Sequence, residues 1–242
     1  MKPNKVICLF EQSGTFSGEF RKMGIPAYDV DILNDYGCTD IQTDIFAHIE
    51  RAYSGAQSLF DMLHAGDLAI AFFPCTYFCE NNCMFFGGYS KNQIGQTMTD
   101  KIAAIIARSD ERQRYYKLLL QLCALAETRN FALIIENPFS YNHYLYNNFP
   151  YTPAIIDKNR MMSGDYYVKP TQYFFINCEP TQQRSFQLDK KQRYVQKTNP
   201  TRKSAFRGKL RSEISPDYAR NFILDKILGE VHKYTMPLLF NN

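Results

Sequence analysis

Four short apolar runs are spaced along the chain, and each is followed by polar or helix-forming sequence. The runs are Val6–Phe10, Ala27–Asp31, Leu68–Phe73 and Phe131–Glu136. Strand-like runs that alternate with helical sequence predict a mostly parallel sheet covered by helices on both faces. At 242 residues, the chain fits a single α/β domain of this kind, and its length is sufficient for a substantial core.

Helix signals lie between and after these runs. The segment Phe16–Met23 predicts the first helix, which Gly24 and Pro26 close, and residues from about 100 to 129 predict a long crossover helix. Its expected buried face carries Tyr116, Leu119, Leu120, Cys123 and Leu125.

The later part of the chain has weaker patterns. A further strand is predicted at Gln172–Asn177, and Ser215 and Pro216 suit the start of a C-terminal helix that extends to His232. The stretch Cys79–Thr97 has no clear period and follows a strand end, so it is predicted to be a substrate loop.

Cysteine usage and hydropathy indicate the compartment. The seven cysteines are scattered and odd in number, which argues against a secreted disulfide framework. No apolar run approaches the ~20 residues that cross a bilayer. We therefore expect a cytoplasmic protein in a reducing compartment, without a membrane partner.

Positive charge is concentrated in one segment, although the net charge is only +4. Between Arg184 and Arg211 there are ten Lys or Arg residues and one acid, Asp189, with Phe186, Tyr194 and Phe206 among them. Cations interleaved with aromatic rings are typical of surfaces that neutralise phosphates and stack on bases. The alternative is an ordinary solvated basic loop.

The first apolar run leads into a turn of small and polar residues between Phe10 and Gly18. Such a turn allows backbone amides to approach a ligand at the positive end of the following helix. The second run ends at Asp31, where an acid can bind the hydroxyls of a ribose. Together they are compatible with a nucleotide-like cofactor, and equally with a common turn and a helix-capping acid.

Two other strand ends carry reactive side chains. Cys75 follows the third run directly after Pro74, whose fixed φ stiffens the turn. Glu136 ends the fourth run. Because parallel strands end at one edge of a sheet, Cys75 and Glu136 are predicted to face one crevice. A buried inert thiol and a helix-capping acid are the alternatives.

In this order, the segments resemble the cytosine-5 DNA methyltransferases. The similarity rests on LFEQSGTFSGEFR, the Asp that ends the second run, TDI, FPCTYF and IIENP, over roughly residues 5–138. The compact phage and bacterial proteins, in which PCT replaces the PCQ of larger enzymes, are more similar still. The resemblance continues loosely through Lys169-Pro170-Thr171 and Ser212–Pro216.

The resemblance implies a Rossmann-like class I S-adenosylmethionine-dependent methyltransferase fold in one domain. Residues 1–138 would form the cofactor and catalytic core, and 139–211 a reduced substrate-binding region that includes the basic segment. Residues 212–242 would form a C-terminal helix that packs back on the core. DNA is the implied partner and S-adenosylmethionine the implied cofactor.

The resemblance also implies roles for individual residues. Asp31 would bind the cofactor's ribose and Asp44 its adenine, with Asp40 as a rival for the second role. Cys75 would attack carbon 6 of cytosine, and Glu136 would hydrogen-bond ring nitrogen 3 and the exocyclic amine. The other implied cofactor contacts are Phe10, Ser13, Gly14, Thr15 and Phe73. The other implied substrate contacts are Pro74, Thr76, Asn137, Pro138, Lys169 and Thr171; no metal ligand is implied.

The chemistry itself explains the need for a cysteine. Carbon 5 of cytosine is a poor nucleophile, and thiolate addition at carbon 6 turns the ring into an enamine-like species that can accept a methyl group. A thiol with a pKa near ~8.5 is mostly protonated at neutral pH, so the site must favour the thiolate. Lys169 is a candidate cation for this purpose.

Three departures from the family pattern qualify the resemblance. Phe73 stands where proline is usual, and Thr76 replaces glutamine. Cys79 and Cys83 follow Cys75 at four-residue spacing, which allows a metal-binding alternative, although zinc sites usually combine paired short spacings with a fourth ligand. The region between residues 178 and 211 is too short for a large target-recognition domain, so we expect little or short sequence specificity, or a recognition partner protein.

Other functions therefore remain open. The chain could methylate a free pyrimidine nucleotide, which needs cations for phosphate but no recognition domain. It could also be a non-catalytic nucleic-acid-binding module that retains the cofactor pocket. An adenine-amino methylase motif at Asn137-Pro138-Phe139 is disfavoured, because Phe139 occupies the position of a required second proline.

Overall fold

A seven-stranded sheet forms the centre of the molecule, in the order β3-β2-β1-β4-β5-β7-β6. The structure is a computed structural model, and it describes residues 1–181 and 213–230. The strands are β1 (Val6–Leu9), β2 (Ala27–Asp31), β3 (Ile41–Gln42), β4 (Leu68–Ala71), β5 (Ala132–Pro138), β6 (Ile155–Asp157) and β7 (Thr171–Ile176). Strands β1 to β5 pair in parallel, whereas β7 runs antiparallel to both β5 and β6.

Helices cover both faces of this sheet. The helices are α1 (Thr15–Lys22), α2 (Ile45–Tyr53), α3 (Asn81–Phe86), α4 (Met98–Arg129), α5 (Tyr144–Asn148) and α6 (Pro216–Phe222), which continues as a π-helical turn over Ile223–Leu228. Short 3-10 turns lie at Leu59–Met62, Lys91–Gln93 and Arg160–Ser163. No helix in the described part of the chain is both long and apolar enough to cross a membrane.

Alternate side chains of the strands point to opposite faces of the sheet and form two apolar clusters, one on each face. Ile7 and Leu9 of β1 pack on one face with α2 and α4. Val6 and Cys8 pack on the other face with α1 and α6. All residues of β1 and β4 are buried, because both faces of these strands are covered. The predicted α/β architecture with a mostly parallel sheet is confirmed.

Several boundaries differ from the predictions for physical reasons. In α4, Tyr116 and Leu120 are only partly buried, because the packed face instead includes Leu118, Leu122 and Ala126. Helix α6 begins as predicted, with the Ser215 hydroxyl accepting a hydrogen bond from the amide of Tyr218. The helical segment ends before Gly229, which has a left-handed φ of 70°. The predicted extension to His232 lies partly outside the described residues.

The stretch Cys79–Thr97 was predicted as a loop, and this was wrong in part because it contains α3 and a 3-10 turn. Tertiary contacts stabilise α3: the Asn82 amide donates to the carbonyls of Thr76 and Cys79 and accepts from Arg108 Nε at 2.6 Å. Helix α2 and the short strands β3 and β6 were also not predicted. The basic segment 184–211 lies outside the described residues.

Candidate active site

The turn that carries Cys75 is held by the neighbouring strand. Asn137, fully buried in β5, donates a hydrogen bond from Nδ2 to the carbonyl of Phe73 at 2.9 Å. This bond joins the carboxyl ends of β4 and β5. Phe73 lies two residues before Cys75, and Asn137 directly follows Glu136. This contact holds together the two chain segments that carry Cys75 and Glu136.

Glu136 lies at this edge between two cations. Its Oε1 is 3.5 Å from Arg160 Nη1 and 3.7 Å from Lys169 Nζ. The residue is only 5% exposed, and Oε1 accepts no hydrogen bond from the residues that the structure describes. A buried carboxylate oxygen with free acceptor capacity is suited to a ligand that carries an N–H group.

Arg160 is a site residue that the sequence reading missed. Its side chain is completely buried, contacts Asp165 Oδ2 at 2.5 Å and lies over the Tyr218 ring at 4.5 Å. It thus compensates two buried carboxylates, those of Asp165 and Glu136. No motif or spacing marks Arg160, since it begins a short 3-10 turn and reaches Glu136 only in the folded chain.

Electrostatics at Cys75 favour the thiolate. The thiol of Cys79 donates a hydrogen bond to Cys75, which is the largest influence lowering the Cys75 pKa, and Lys169 acts in the same direction. Burial and the Glu136 carboxylate oppose this by raising the pKa. As the donor of the pair, Cys79 has a raised pKa. The thiol pair thus gives Cys79 a partner in the fold.

Replacing Cys79 with alanine is expected to raise the pKa of Cys75, because the thiolate loses its hydrogen-bond donor. The rate of Cys75 alkylation by iodoacetamide should then reach its half-maximum at a higher pH. Peptide mass spectrometry resolves the reaction of Cys75 from that of the other cysteines. Cys178→Ala, at the opposite edge of the sheet, serves as the control, and an unchanged profile in Cys79→Ala would contradict the assigned donor.

Aromatic rings line the implied cofactor side. The Phe10 ring centroid lies 5.3 Å from that of Phe46 and 5.2 Å from that of Phe73. Phe10 has a φ of 60°, an uncommon conformation for a non-glycine residue. Asp44 caps α2 by accepting hydrogen bonds from the amides of Phe46 and Ala47, so it lies beside this aromatic group.

The turn after β1 is organised by Glu11, which the sequence reading did not single out. Its Oε1 accepts hydrogen bonds from the amides of Thr15 and Phe16, both at 2.9 Å. The Ser13 hydroxyl lies 3.2 Å from the same oxygen and 2.9 Å from the Thr15 hydroxyl. The first α1 amides thus bind a residue of the chain itself, which differs from the expectation that they approach a ligand.

Glu11 belongs to a buried acidic group with Cys8 and Asp29, whose ligand atoms lie within 4.8 Å of one another. Among the described residues, this trio meets that distance. The three thiols of Cys75, Cys79 and Cys83 do not. Burial and the Glu11 carboxylate raise the pKa of Asp29 to about 8. The two carboxyl groups therefore share a proton at neutral pH.

This pair predicts a pH-dependent stability. Asp29 ionises near pH 4 in the unfolded chain but near pH 8 in the folded protein, so folding takes up a proton between these values. The free energy of unfolding should therefore fall as the pH rises from about 5 to 8. Urea denaturation at both pH values measures this decline, and Asp29→Asn should flatten it. An equal decline in that variant would exclude Asp29 as its source.

The remaining predicted residues fall into two places. Asp31, at the end of β2, is half-buried and accepts a hydrogen bond from the amide of Leu33 at 2.8 Å. Asp40 contacts Arg21 and the amide of Asp29 instead, so its side chain has a structural partner. The predicted substrate contacts lie at the Cys75 edge, where Pro138 pairs with Thr171, Pro74 is half-buried and Thr76 is exposed.

Gly14 and Thr171 are each constrained by close contacts. Gly14 has a φ of 69°, and a Cβ there would lie 3.1 Å from Cys38 Cβ, so the turn requires glycine. Thr171 is buried and its hydroxyl donates to the carbonyl of Lys169 at 2.9 Å.

Comparison of the sequence with models of known protein families and with curated proteins finds no match.

Proposed function

We propose that this protein is an S-adenosylmethionine-dependent methyltransferase that methylates carbon 5 of cytosine in DNA through a covalent Cys75 adduct. The observation that carries the proposal is the convergence at one sheet edge of a thiol whose pKa is lowered and a buried carboxylate with free acceptor capacity. A nucleophile beside a group that can hold the ring in place is the arrangement that this reaction requires.

The sheet supports a methyltransferase of class I. Its order of β3-β2-β1-β4-β5-β7-β6 contains the 3-2-1-4-5 order of Rossmann-like sheets, with β7 added antiparallel between β5 and β6. Ligands of open α/β sheets bind beyond the carboxyl ends of the parallel strands. Phe10, Asp31 and Cys75 all follow or end strands at that edge.

The residues on the cofactor side fit a cofactor that carries positive charge. The buried carboxyl group of Glu11 occupies the start of α1, and Asp29 lies beside it. Negative charge here would repel the phosphates of a dinucleotide, whereas it tolerates the sulfonium and ammonium groups of S-adenosylmethionine. The Phe10–Phe46–Phe73 group would accommodate the adenine, and Asp31 the ribose. When bound, the cofactor supplies an electrophilic methyl group.

The chain's own side chains account for the remaining chemistry. The Cys75 sulfur forms a bond to carbon 6, and the electron pair of the ring shifts toward nitrogen 3 and carbon 5. Nitrogen 3 takes up a proton from solvent as the electron pair arrives, and Glu136 Oε1 accepts hydrogen bonds from this N–H and from the exocyclic amine, while Lys169 and Arg160 hold the carboxylate. After methyl transfer, loss of the carbon 5 proton to water would return an electron pair to the ring and expel the Cys75 thiolate.

The proposal is tested by incubating the protein with methyl-labelled S-adenosylmethionine and DNA, RNA or deoxycytidine monophosphate. The nucleosides are then analysed for 5-methylcytosine, which we expect in DNA. Label in a different base, or cofactor binding with no transfer to any of the three substrates, would reject the function.

Asp31→Ala is expected to weaken cofactor binding, as measured by calorimetry, because the ribose hydroxyls lose their acceptor.

A further inference from the structure

A cavity of about 330 Å³ adjoins the proposed catalytic edge. Phe139 and Pro170 form one side of it, and the amide of Phe139 donates to the Pro170 carbonyl at 2.8 Å. These two residues directly follow Pro138 and Lys169, and Lys169 contacts Glu136, so the cavity lies close to that carboxylate. Glu80, on another side, immediately follows Cys79. The volume lies at the lower end of the range for small-ligand pockets.

The aromatic part of the cavity is a fixed platform. The Phe139 ring lies 5.3 Å from both Tyr141 and Tyr146, and the latter two are 6.0 Å apart, all in edge-to-face geometry. The loop is held in place because Asn147 Nδ2 donates to the Tyr141 carbonyl at 2.9 Å. Tyr141 is nevertheless 67% exposed. An exposed ring on a rigid support is the element on which a nucleobase stacks.

Polar groups of two kinds complete the lining. Asn142 Nδ2 donates to Glu80 Oε1 at 2.9 Å, so an amide and a carboxylate lie together at the edge of the cavity and offer a donor and acceptors to a base edge. Lys158, which is exposed, also lines the cavity and supplies positive charge suited to a phosphate. The cavity thus combines a ring for stacking, polar groups for the edge of a base and a cation for a phosphate.

We propose that this cavity binds the nucleotide adjacent to the target cytosine on the same strand, and that the substrate is therefore a polynucleotide and not a free nucleotide. This inference rests on the proposed function. Tyr141 and Phe139 stack on the neighbouring base, Glu80 and Asn142 contact its edge, and Lys158 contacts a phosphate. These contacts lie within the described residues and do not depend on the basic segment 184–211.

The test compares methyl transfer to deoxycytidine monophosphate with transfer to dinucleotides that carry a neighbour on either side of the cytosine. For the wild-type protein, kcat/KM for one dinucleotide should exceed that for the mononucleotide by tenfold or more, on the order of one stacking contact. Tyr141→Ala should reduce this ratio about tenfold. Tyr53→Ala, which removes a half-exposed ring at the end of α2, should leave the ratio unchanged.

A binding measurement gives a second readout that does not need turnover. Fluorescence anisotropy with a short labelled single strand that contains cytosine should show weaker binding for Tyr141→Ala than for Tyr53→Ala. Lys158→Gln should reduce the slope of log K against log salt by roughly 0.7. Equal use of mononucleotide and dinucleotides, or unchanged ratio and affinity in Tyr141→Ala, would overturn the subsite while leaving the proposed function intact. If no cytosine substrate is methylated, the proposed function fails, and the anisotropy result alone decides the subsite.

Discussion

Cys75→Ala is expected to abolish methyl transfer, with kcat lowered by about 10⁴-fold or more, because the ring is not activated without a bond at carbon 6. Transfer is measured with methyl-labelled S-adenosylmethionine and DNA. The variant should still bind the cofactor, since Cys75 lies on the substrate side and Asn137 holds the turn through the Phe73 carbonyl and not through the thiol.

A trapping experiment tests the same residue without relying on lost activity. DNA with fluorine at carbon 5 of cytosine cannot lose a proton there, so the adduct should persist after methyl transfer. Mass spectrometry should then locate the DNA on Cys75. The matched control is Cys178→Ala, a partly buried thiol at the other edge of the sheet whose pKa is raised by burial. Methylation that survives Cys75→Ala would exclude the covalent mechanism.

Arg160→Met is expected to lower the free energy of unfolding by about 3–5 kcal/mol, because it leaves the buried Asp165 carboxylate without its cation and Glu136 with Lys169 alone. Asp165 and Glu136 both contact the guanidinium, and none of the three side chains is more than 7% exposed. Methionine preserves much of the apolar volume, so the loss measures charge compensation more than packing. Urea denaturation at neutral pH gives the value.

Two further variants distinguish this explanation from a general sensitivity to arginine replacement. Arg129→Met breaks an ion pair with Asp61 at the surface, where solvent screens the charges, and should cost far less. Arg160→Lys keeps the charge but loses the planar contact with Asp165, and it should fall between the other two. If Arg160→Met were as stable as Arg129→Met, the assigned compensation would be wrong.

The local patterns of the sequence were sufficient for the framework of the fold. The five predicted strands, which correspond to β1, β2, β4, β5 and β7, and helices α1 and α4 follow from apolar periodicity, capping residues and glycine or proline at helix ends, all of which act within a few residues. The shared edge for Cys75 and Glu136 follows from the same reasoning, because parallel neighbouring strands present their carboxyl ends together.

The partners and the charge states of these residues were decided only by tertiary structure. The antiparallel course of β7, the approach of Arg160 to Glu136, the carboxylate of Glu11 on the α1 amides and the thiol pair of Cys75 and Cys79 have no signature in spacing or composition. The last three depend on burial, which changes the energy of a charge or an unpaired polar group far more than any local propensity does. The sequence thus determined that Cys75 and Glu136 follow or end neighbouring parallel strands, and the folded chain determined their charge and their partners.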